Sequence, residues 1–225
     1  MQFENAIIIR DKTRLEQLIE RFNSKAQAKF YIESSGGDFE YYEKEHNTFY
    51  MSLNKTQSNV SESFKVKVID RSFLSTYIFS EKDLIVVIGQ DGLVANTAKY
   101  VNELPMIAVN PDPDQYDGVL LPFDSDSLER PIMDVVNGVL KTKNITMAEA
   151  RMSDGQRLLA FNDFYIGAAT HVSSRYELTF NGKTENQSSS GLIVSTGAGS
   201  TGWLSSIFNM AFDDTPMFKT GLVSF

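Results

Sequence analysis

Hydrophobic residues in the first half of the chain alternate between strand-like and helix-like patterns. Four segments are either continuously apolar or apolar at every second position, as in β-strands: residues 6–9, 64–69, 84–88 and 106–109. Helical spacing appears between them, after Thr13, weakly within residues 38–60, and over residues 93–103. This alternation up to about residue 125 predicts an α/β domain with a parallel, Rossmann-like, doubly wound sheet.

The pattern changes after residue 125. Residues 128–141 have the spacing of an amphipathic helix, and Asn181-Gly182 is typical of a type I′ turn in a β-hairpin. Four further segments have the pattern of strands: residues 158–166, 176–180, 183–187 and 192–195. We therefore predict a β-rich, antiparallel, sandwich-like second domain.

The boundary between the two predicted domains falls within residues 141–155, where no long apolar pattern survives. We assign residues 1–145 to an α/β domain and residues 146–225 to a β-rich domain. The final segment, residues 217–225, is apolar and has no polar tail. This ending predicts that the second domain is incomplete and that some of its strands are missing from the chain.

Composition narrows the class of protein. With 225 residues, of which 42% are hydrophobic, the chain is long enough to bury a globular core. Its 29 acidic and 21 basic residues give a net charge of −8, which argues against nucleic acid and anionic membranes as partners. No apolar run reaches the about 20 residues of a transmembrane helix, so we predict a soluble, cytoplasmic protein.

Metal and thiol chemistry have little support in the sequence. Cysteine is absent, which excludes disulfide scaffolds, zinc ribbons and thiol nucleophiles. The two histidines, His46 and His171, lie in unrelated contexts and are expected to be surface or structural residues. We therefore predict no metal-ligating set.

The first candidate for ligand chemistry follows the apolar run at residues 84–88. Gly89 ends this strand and Gly92 precedes the predicted helix, so backbone N–H groups could approach a phosphate at a helix N-terminus. The segment matches neither the P-loop nor the GxGxxG pattern. Asp91, between the glycines, either has a catalytic or metal-linked role or caps the helix.

A second candidate segment, residues 188–203, is rich in glycine and hydroxyl groups. Short donors on a flexible backbone suit contacts to a ribose or a phosphate, and they are supplied by Thr196, Gly197, Gly199, Ser200 and Thr201. Trp203 either stacks on a ligand ring or belongs to the core. A third segment, residues 110–118, is rich in proline and aspartate, and turn formation is favoured there over metal contact.

Together these segments resemble the NAD kinase family, in particular its mitochondrial-type branch, which also occurs in bacteria. Four blocks in the family's order carry the resemblance: residues 89–92, 110–114 with 118–122, 161–167, and 189–203. The resemblance implies an ATP-dependent NAD kinase, which transfers the γ-phosphoryl group of ATP to the 2′-hydroxyl of the adenosine ribose of NAD and forms NADP. It also implies that residues 1–145 form a nucleotide-binding domain and residues 146–225 an NAD-binding domain. Further implications are Mg²⁺ brought in with ATP, and a homodimer formed through the second domain.

The same resemblance implies roles for individual residues. Asp91 matches the family's aspartate that is proposed as base or orienter for the 2′-hydroxyl, Asn162 matches an asparagine that contacts the nucleotide, and Asp163 stands where the family has glutamate. The complete set predicted to bind NAD or ATP is Gly89, Gln90, Gly92, Asn110, Asn162, Asp163, Thr196, Gly197, Gly199, Ser200, Thr201 and Trp203.

Three positions depart from the family pattern: Gln90 replaces a glycine, Leu93 a threonine and Ser190 an aspartate. Gln90 and Leu93 keep open the alternative of an NAD(P)-binding module that has lost catalysis. A lipid kinase with a similar loop is a further alternative, against which the acidic charge and the lack of a basic amphipathic helix argue. The sequence also leaves open ATP or polyphosphate as the donor and NAD or NADH as the acceptor.

Overall fold

The computed structural model describes residues 3–212. The chain divides into two compact units, residues 1–142 and 143–225. Within the described residues, no helix is both long enough and apolar enough to cross a bilayer. The apolar segment 217–225, on which the expectation of missing strands depends, lies outside the described residues.

The first unit is built around a parallel sheet of five strands: β1 (Asn5–Arg10), β2 (Lys65–Asp70), β3 (Asp83–Ile88), β4 (Met106–Asn110) and β5 (Phe123–Asp124). Its α-helices are α1 (Arg14–Phe22), α2 (Lys25–Ser34), α3 (Phe39–Ser61), α4 (Asp91–Ala98) and α5 (Glu129–Val136). The strands pair in the order β2-β1-β3-β4-β5. In this register Ile8 lies between Val68 and Val86, and the predicted parallel sheet is confirmed.

Helices cover both faces of this sheet. On one face, Val86 belongs to a cluster with Phe49 of α3 and Ile132 of α5. On the other face, Ile85 packs in a cluster with Leu93 of α4. Every residue of β3 is buried, as expected for a continuously apolar strand in the middle of a covered sheet.

The order of the strands changes direction between β1 and β3. From β1 the chain moves to the edge strand β2 and then returns across β1 to β3. The loops after β1 and β3 therefore diverge at the carboxyl edge of the sheet, which is where open α/β sheets bind ligands. Thr13 and Glu16 form a capping box at the start of α1, as the pattern after Thr13 predicts, and this box holds the loop after β1.

Two helix boundaries differ from the predicted ones. α4 begins at Asp91, before Gly92, because Gln90 already has the extended backbone of an N-cap. It ends at Ala98 rather than at residue 103, and the chain turns through a left-handed Asn102 with a φ of 54°. α5 ends at Val136 rather than at residue 141, before Gly138 reverses the chain with a φ of 73°.

Two neighbouring helices differ in how clearly the sequence predicts them, because they differ in the number of residues that they bury. α2 is missing from the predicted elements because only Ala28 and Ile32 are buried along its ten residues, so the sequence carries no clear apolar face. α3 buries Phe49 and Leu53 together with several other residues, and the weak stripe within 38–60 is confirmed as a helix of 23 residues.

The second unit is β-rich and antiparallel, as predicted. Its strands are β6 (Ala148–Arg151), β7 (Arg157–Ala160), β8 (Asp163–Ile166), β9 (Ser174–Phe180), β10 (Lys183–Ser189) and β11 (Leu192–Ser195), followed by α6 (Trp203–Phe212). They form the antiparallel pairs β6–β7, β8–β11 and β9–β10. Positive φ angles of 50° and 74° at Asn181 and Gly182 confirm the predicted hairpin turn between β9 and β10.

The single strand predicted over residues 158–166 is in fact two strands. β7 pairs with β6 and β8 pairs with β11, so the chain changes partner at Phe161 and Asn162. Their carbonyl groups accept hydrogen bonds from the Thr196 side chain (2.6 Å) and the Thr196 backbone N–H (2.8 Å), respectively. The apolar pattern continues across the break because Phe161 is itself buried.

Candidate functional site

A cleft of about 520 Å³ lies in the first unit at the carboxyl edge of the parallel sheet. We call it the sheet-edge cleft. It is lined by residues 11–14 after β1, by Gly89, Gln90 and Gly92 after β3, and by residues within 111–116 after β4. Its place at the point where the strand order reverses, and its volume, are typical of a small-molecule binding site.

The predicted segment 89–92 lines this cleft through Gly89, Gln90 and Gly92, at the place where α4 begins. A Cβ at Gly89 would lie 2.9 Å from Cδ2 of Leu93, so the glycine permits the close approach of strand and helix. A Cβ at Gly92 would meet no atom within 4 Å, which leaves open space above the first turn. The first N–H groups of α4 have no partner within the helix, and with the helix dipole they favour an anion there.

Asp91 is held by the neighbouring loop. Its two carboxylate oxygens accept hydrogen bonds from the backbone N–H groups of Val119 (3.1 Å) and Leu120 (3.0 Å). Asp91 does not line the sheet-edge cleft, although Gln90 and Gly92 on either side of it do. The alternative that Asp91 caps the helix is wrong, because Gln90 occupies the N-cap position and the Asp91 carboxylate binds a loop 28 residues away in sequence.

Asn110 closes the turn that follows β4. Its side-chain amide donates to the carbonyl of Tyr116 (2.8 Å), and its side-chain oxygen accepts from the N–H of Asp112 (3.0 Å). Asn110 is 5% exposed, and a Cβ at Gly118 would lie 2.7 Å from its amide nitrogen. Asn110 therefore shapes the cleft wall formed by residues 111–116, and the favoured interpretation of this segment as a turn is confirmed.

Three basic side chains in the cleft are absent from the predicted site: Lys12, Arg14 and Arg71. Lys12 is bonded to Glu20 (2.5 Å), and this hydrogen bond raises the pKa of Lys12. Arg71 donates to Asp11 (2.9 Å). The available signal at Lys12 and Arg14 was their place at the junction of a predicted strand and the following helix. Arg71 joins the cleft only because β2 lies beside β1.

Arg14 is the most firmly held of these cations. It donates from Nε to Glu45 (2.7 Å), and its guanidinium lies 5.1 Å from the ring centre of Tyr41 and 4.7 Å from that of Tyr42. The hydrogen bond with Glu45 raises the pKa of Arg14. Gln115 in turn donates to the hydroxyl of Tyr41, which ties the turn after β4 to α3.

Gln90 also participates in the cleft wall. Burial raises the pKa of the Tyr116 hydroxyl, and a hydrogen bond from Gln90 partly opposes that effect. Gln90 of the loop after β3 and Tyr116 of the turn after β4 therefore lie together in the lining of the sheet-edge cleft. A glycine in place of Gln90 could make no such hydrogen bond.

A partly buried hydrogen-bond network next to the cleft fixes the loop after β1. Arg10 donates to both carboxylate oxygens of Glu16 (2.8 Å each), and the Tyr50 hydroxyl donates to the same carboxylate (2.6 Å). Burial would raise the pKa of Glu16, but the hydrogen bonds from Arg10 and Tyr50 outweigh it and lower the pKa. Thr13 is hydrogen-bonded to Nδ1 of His46 (2.8 Å), so the expectation of a structural histidine is confirmed at His46.

The predicted residues of the second unit form a compact turn. The Thr196 side chain accepts a hydrogen bond from the N–H of Gly199 (3.0 Å), and the Thr196 N–H donates to the carbonyl of Asn162 (2.8 Å). A Cβ at Gly199 would lie 2.0 Å from that same carbonyl oxygen, so only glycine fits there. The Ser200 hydroxyl donates to the carbonyl of Gly197 (2.8 Å), within the short 3-10 helix over residues 198–201.

Trp203 and Asp163 flank this turn. Trp203 is 47% exposed and its ring centre lies 5.7 Å from that of Tyr165, so the alternative that places Trp203 in the core is wrong. Asp163 begins β8 opposite Ser195. The predicted site residues thus fall into two groups, with Gly89 to Asn110 in the first unit and Asn162 to Trp203 in the second.

Metal-binding side chains do not converge in either unit. Among the described residues, no group of three or more His, Asp or Glu side chains is arranged to hold a metal ion. The sheet-edge cleft has three acidic residues, Asp11, Glu45 and Asp112, of which Asp11 is bonded to Arg71 and Glu45 to Arg14.

Comparisons with known proteins support the fold. No protein-family model matches the chain, and no curated protein sequence matches it. A crystal structure of yeast NADH kinase complexed with NADH is similar, with a TM-score of 0.55 and 15% sequence identity. The match covers 92% of this chain and 61% of the yeast chain, so the chain spans about three fifths of that kinase. At this identity the likeness establishes a shared fold, in which a parallel sheet is combined with a β-rich second unit.

Proposed function

We propose that the protein is a phosphotransferase that moves the γ-phosphoryl group of ATP to the 2′-hydroxyl of NAD and forms NADP. The observation that carries this proposal is the sheet-edge cleft, which is lined by the start of α4 and by three basic residues, and in which a Cβ at Gly92 would meet no atom within 4 Å. Phosphoryl transfer depends mainly on positioning and on stabilising negative charge, which such a cleft supplies. The fold shared with a kinase of NADH is consistent with it.

In this proposal the triphosphate lies in the sheet-edge cleft. Backbone N–H groups at the start of α4 bind phosphate oxygens, while Lys12 and Arg14 neutralise their charge. Mg²⁺ would enter together with the phosphates, which are its usual ligands in nucleotide sites. The described residues contain no carboxylate cluster that could hold the ion alone.

The acceptor hydroxyl needs a group that takes its proton. As the bond between the β,γ-bridging oxygen and the γ-phosphorus breaks, the 2′-oxygen of NAD forms the new bond and its proton leaves to a base. We assign this base to Asp91, whose carboxylate would have to exchange at least one of the Val119 and Leu120 amides for the ribose hydroxyl. Within the second unit, the turn over residues 196–201 and the exposed face of Trp203 are proposed to bind NAD.

The direct test is formation of NADP by the purified chain. ATP with Mg²⁺ and polyphosphate with Mg²⁺ are each combined with NAD and with NADH, and 2′-phosphorylated product is measured by an NADP-specific dehydrogenase or by mass spectrometry. Product that forms only when both donor and acceptor are present supports the proposal. Absence of product with every donor and acceptor contradicts it for this chain.

A second candidate is an NAD(P)-binding module without turnover. The bonds that occupy both oxygens of Asp91, and the Gln90 side chain in place of glycine, favour this alternative. Calorimetry separates the two functions, because a module binds NAD or NADP at micromolar strength and forms no product with any donor.

We further propose that the protein is a homodimer through its second unit. Several large apolar side chains of that unit are at least 40% exposed, among them Leu158, Tyr165, Ile166 and Val194. A second copy of the unit would cover such side chains and the open edges of the two-stranded sheets. Sedimentation equilibrium tests this assembly, which a monomer at micromolar concentration would contradict.

A further inference from the structure

A second cleft adjoins the sheet-edge cleft within the first unit. It has a volume of about 340 Å³ and lies between the segment after β2 and the outer face of α4. We call it the side cleft. Four residues line both clefts, so the two form adjoining compartments: Asp11, Lys12, Gln17 and Arg71. Each volume falls in the range of about 300–1,000 Å³ that is usual for small-molecule sites.

The charged groups of the side cleft are concentrated at its junction with the sheet-edge cleft. Arg71 donates to Asp11 across this junction (2.9 Å), with side chains that are 51% and 37% exposed. Exposed ion pairs of this kind are weak, so a phosphate group could take the place of Asp11 as the partner of Arg71. Lys12 supplies a second cation at the same place.

Beyond the junction the side cleft offers uncharged groups. Ser75, Asn96 and Tyr100 line it, and among the described residues their side-chain polar groups have no hydrogen-bond partner. Asn96 can donate and accept hydrogen bonds simultaneously, and the ring of Tyr100 is 38% exposed. In the sheet-edge cleft, by contrast, Arg14 and Gln115 are already bonded to other side chains. The free groups of the side cleft suit a ligand that carries hydroxyls, ring nitrogens and a flat apolar face.

We propose that the side cleft binds the ribose and base of the phosphoryl donor, while the phosphates of that donor lie in the sheet-edge cleft. The inference rests on the proposed function and adds a binding place for the nucleoside of its donor, which polyphosphate lacks. A polyphosphate chain extending past Arg71 would meet Asp70 and uncharged groups instead of further cations. A nucleoside in the same place contacts Ser75, Asn96 and Tyr100.

The test compares ATP with tripolyphosphate, which has the phosphates without the nucleoside. Calorimetric titrations with Mg²⁺ are made on the wild-type chain, on Asn96→Ala and on Ser75→Ala. Asn54→Ala is the matched control, because Asn54 is an exposed asparagine on helix α3 that lines neither cleft. Alanine favours the helix at both asparagine positions, so neither variant should lower the melting temperature.

We expect ATP to bind the wild-type chain more tightly than tripolyphosphate. Loss of one hydrogen bond in Asn96→Ala or Ser75→Ala should weaken ATP binding roughly five- to tenfold and leave tripolyphosphate binding within about twofold. Asn54→Ala should change neither. Equal weakening of both ligands, unchanged ATP binding in both variants, or no measurable ATP binding would overturn the proposal.

The NADP assay keeps this inference separate from the proposed function. ATP binding that depends on Asn96, in a chain that forms no NADP, would refute the reaction and support the nucleoside site. NADP formation with an unchanged KM for ATP in Asn96→Ala and Ser75→Ala would refute the nucleoside site and support the reaction.

Discussion

Glycine serves opposite purposes in the two segments that resemble nucleotide-binding loops. At Gly92, in the first unit, a Cβ would meet no atom within 4 Å, and the glycine borders open space in the sheet-edge cleft. At Gly199, in the second unit, a Cβ would lie 2.0 Å from the carbonyl oxygen of Asn162, and the glycine permits two backbone segments to touch. A glycine-rich signature therefore marks room for a ligand in one unit and internal packing in the other.

The two segments also differ in charge. The sheet-edge cleft gathers Lys12, Arg14 and Arg71 from separate places in the chain. The turn over residues 196–202 has hydroxyl, carbonyl and amide groups and no charged side chain. The charged lining of the first unit suits phosphates. The uncharged turn of the second unit suits the neutral ribose and base of an adenosine.

The largest expected effect is on catalysis and concerns Asp91 in the first unit. Replacing Asp91 by alanine removes the proposed base and should lower the rate of NADP formation by about 10²–10⁴-fold. Asp91→Asn retains one side-chain oxygen for the Val119 or Leu120 amide, so comparable loss in both variants points to proton transfer. Activity of Asp91→Asn near that of the wild-type chain would assign Asp91 to loop positioning instead, and activity of Asp91→Ala within about threefold would refute both roles.

Alanine at the two contrasting glycines tests the comparison itself. Gly199→Ala forces a methyl group against the Asn162 carbonyl and should destabilise the second unit by about 1–3 kcal/mol, with loss of NAD binding. Gly92→Ala meets no obstacle and should leave the unfolding free energy unchanged or higher, since alanine favours a helix. Thermal unfolding and calorimetry measure the two effects. Equal destabilisation by the two substitutions would contradict the distinction between ligand space and packing.

The pH dependence of stability tests the ionic network of the first unit, in which the partly buried Glu16 carboxylate accepts hydrogen bonds from Arg10 and Tyr50. The pKa of Glu16 is lowered in the folded chain, so its contribution to stability is present above its unfolded pKa and is lost as pH falls through the folded pKa. Glu16→Gln should reduce the unfolding free energy by about 1.5 kcal/mol at pH 7 and by less at acid pH. Denaturation with urea from pH 7 to about pH 2.5 measures this, because the contribution is lost below the ordinary glutamate pKa of about 4.3.

The control for Glu16 is Glu81→Gln, at an exposed glutamate without a resolved contact in the described residues. Its unfolding free energy should match that of the wild-type chain at pH 7. A difference between Glu16→Gln and wild type that grows as the pH falls would contradict the assignment of Glu16 as a stabilising carboxylate.

The smallest expected effect is on NAD binding and concerns Trp203, beside the uncharged turn of the second unit. Trp203 is the only tryptophan of the chain, so binding of NAD beside it should change the intrinsic fluorescence. Trp203→Leu should weaken NAD binding about two- to tenfold through loss of ring stacking, while ATP binding in the first unit stays unchanged. Fluorescence that does not respond to saturating NAD would remove Trp203 from the proposed NAD site.

Local patterns explain most of what could be predicted. Continuous apolar runs located β1, β3 and β4, and the Asn-Gly pair located the hairpin of β9 and β10, because burial period and turn chemistry are properties of neighbouring residues. The same reasoning missed α2, which has only two buried residues, and joined β7 to β8, whose apolar pattern runs through a change of partner.

The sequence by itself determined four of the five strands of the parallel sheet, their alternation with helices and the positions of the glycine-rich loops, but not the two-residue edge strand β5. Only the tertiary structure decided which side chains meet at those loops. Lys12 and Arg71 converge because β2 pairs with β1, and Asp91 binds amides 28 and 29 residues further along the chain. The reason is physical: periodicity and turn preference act over a few residues, whereas the chemistry of a site depends on strand order and on contacts between distant segments.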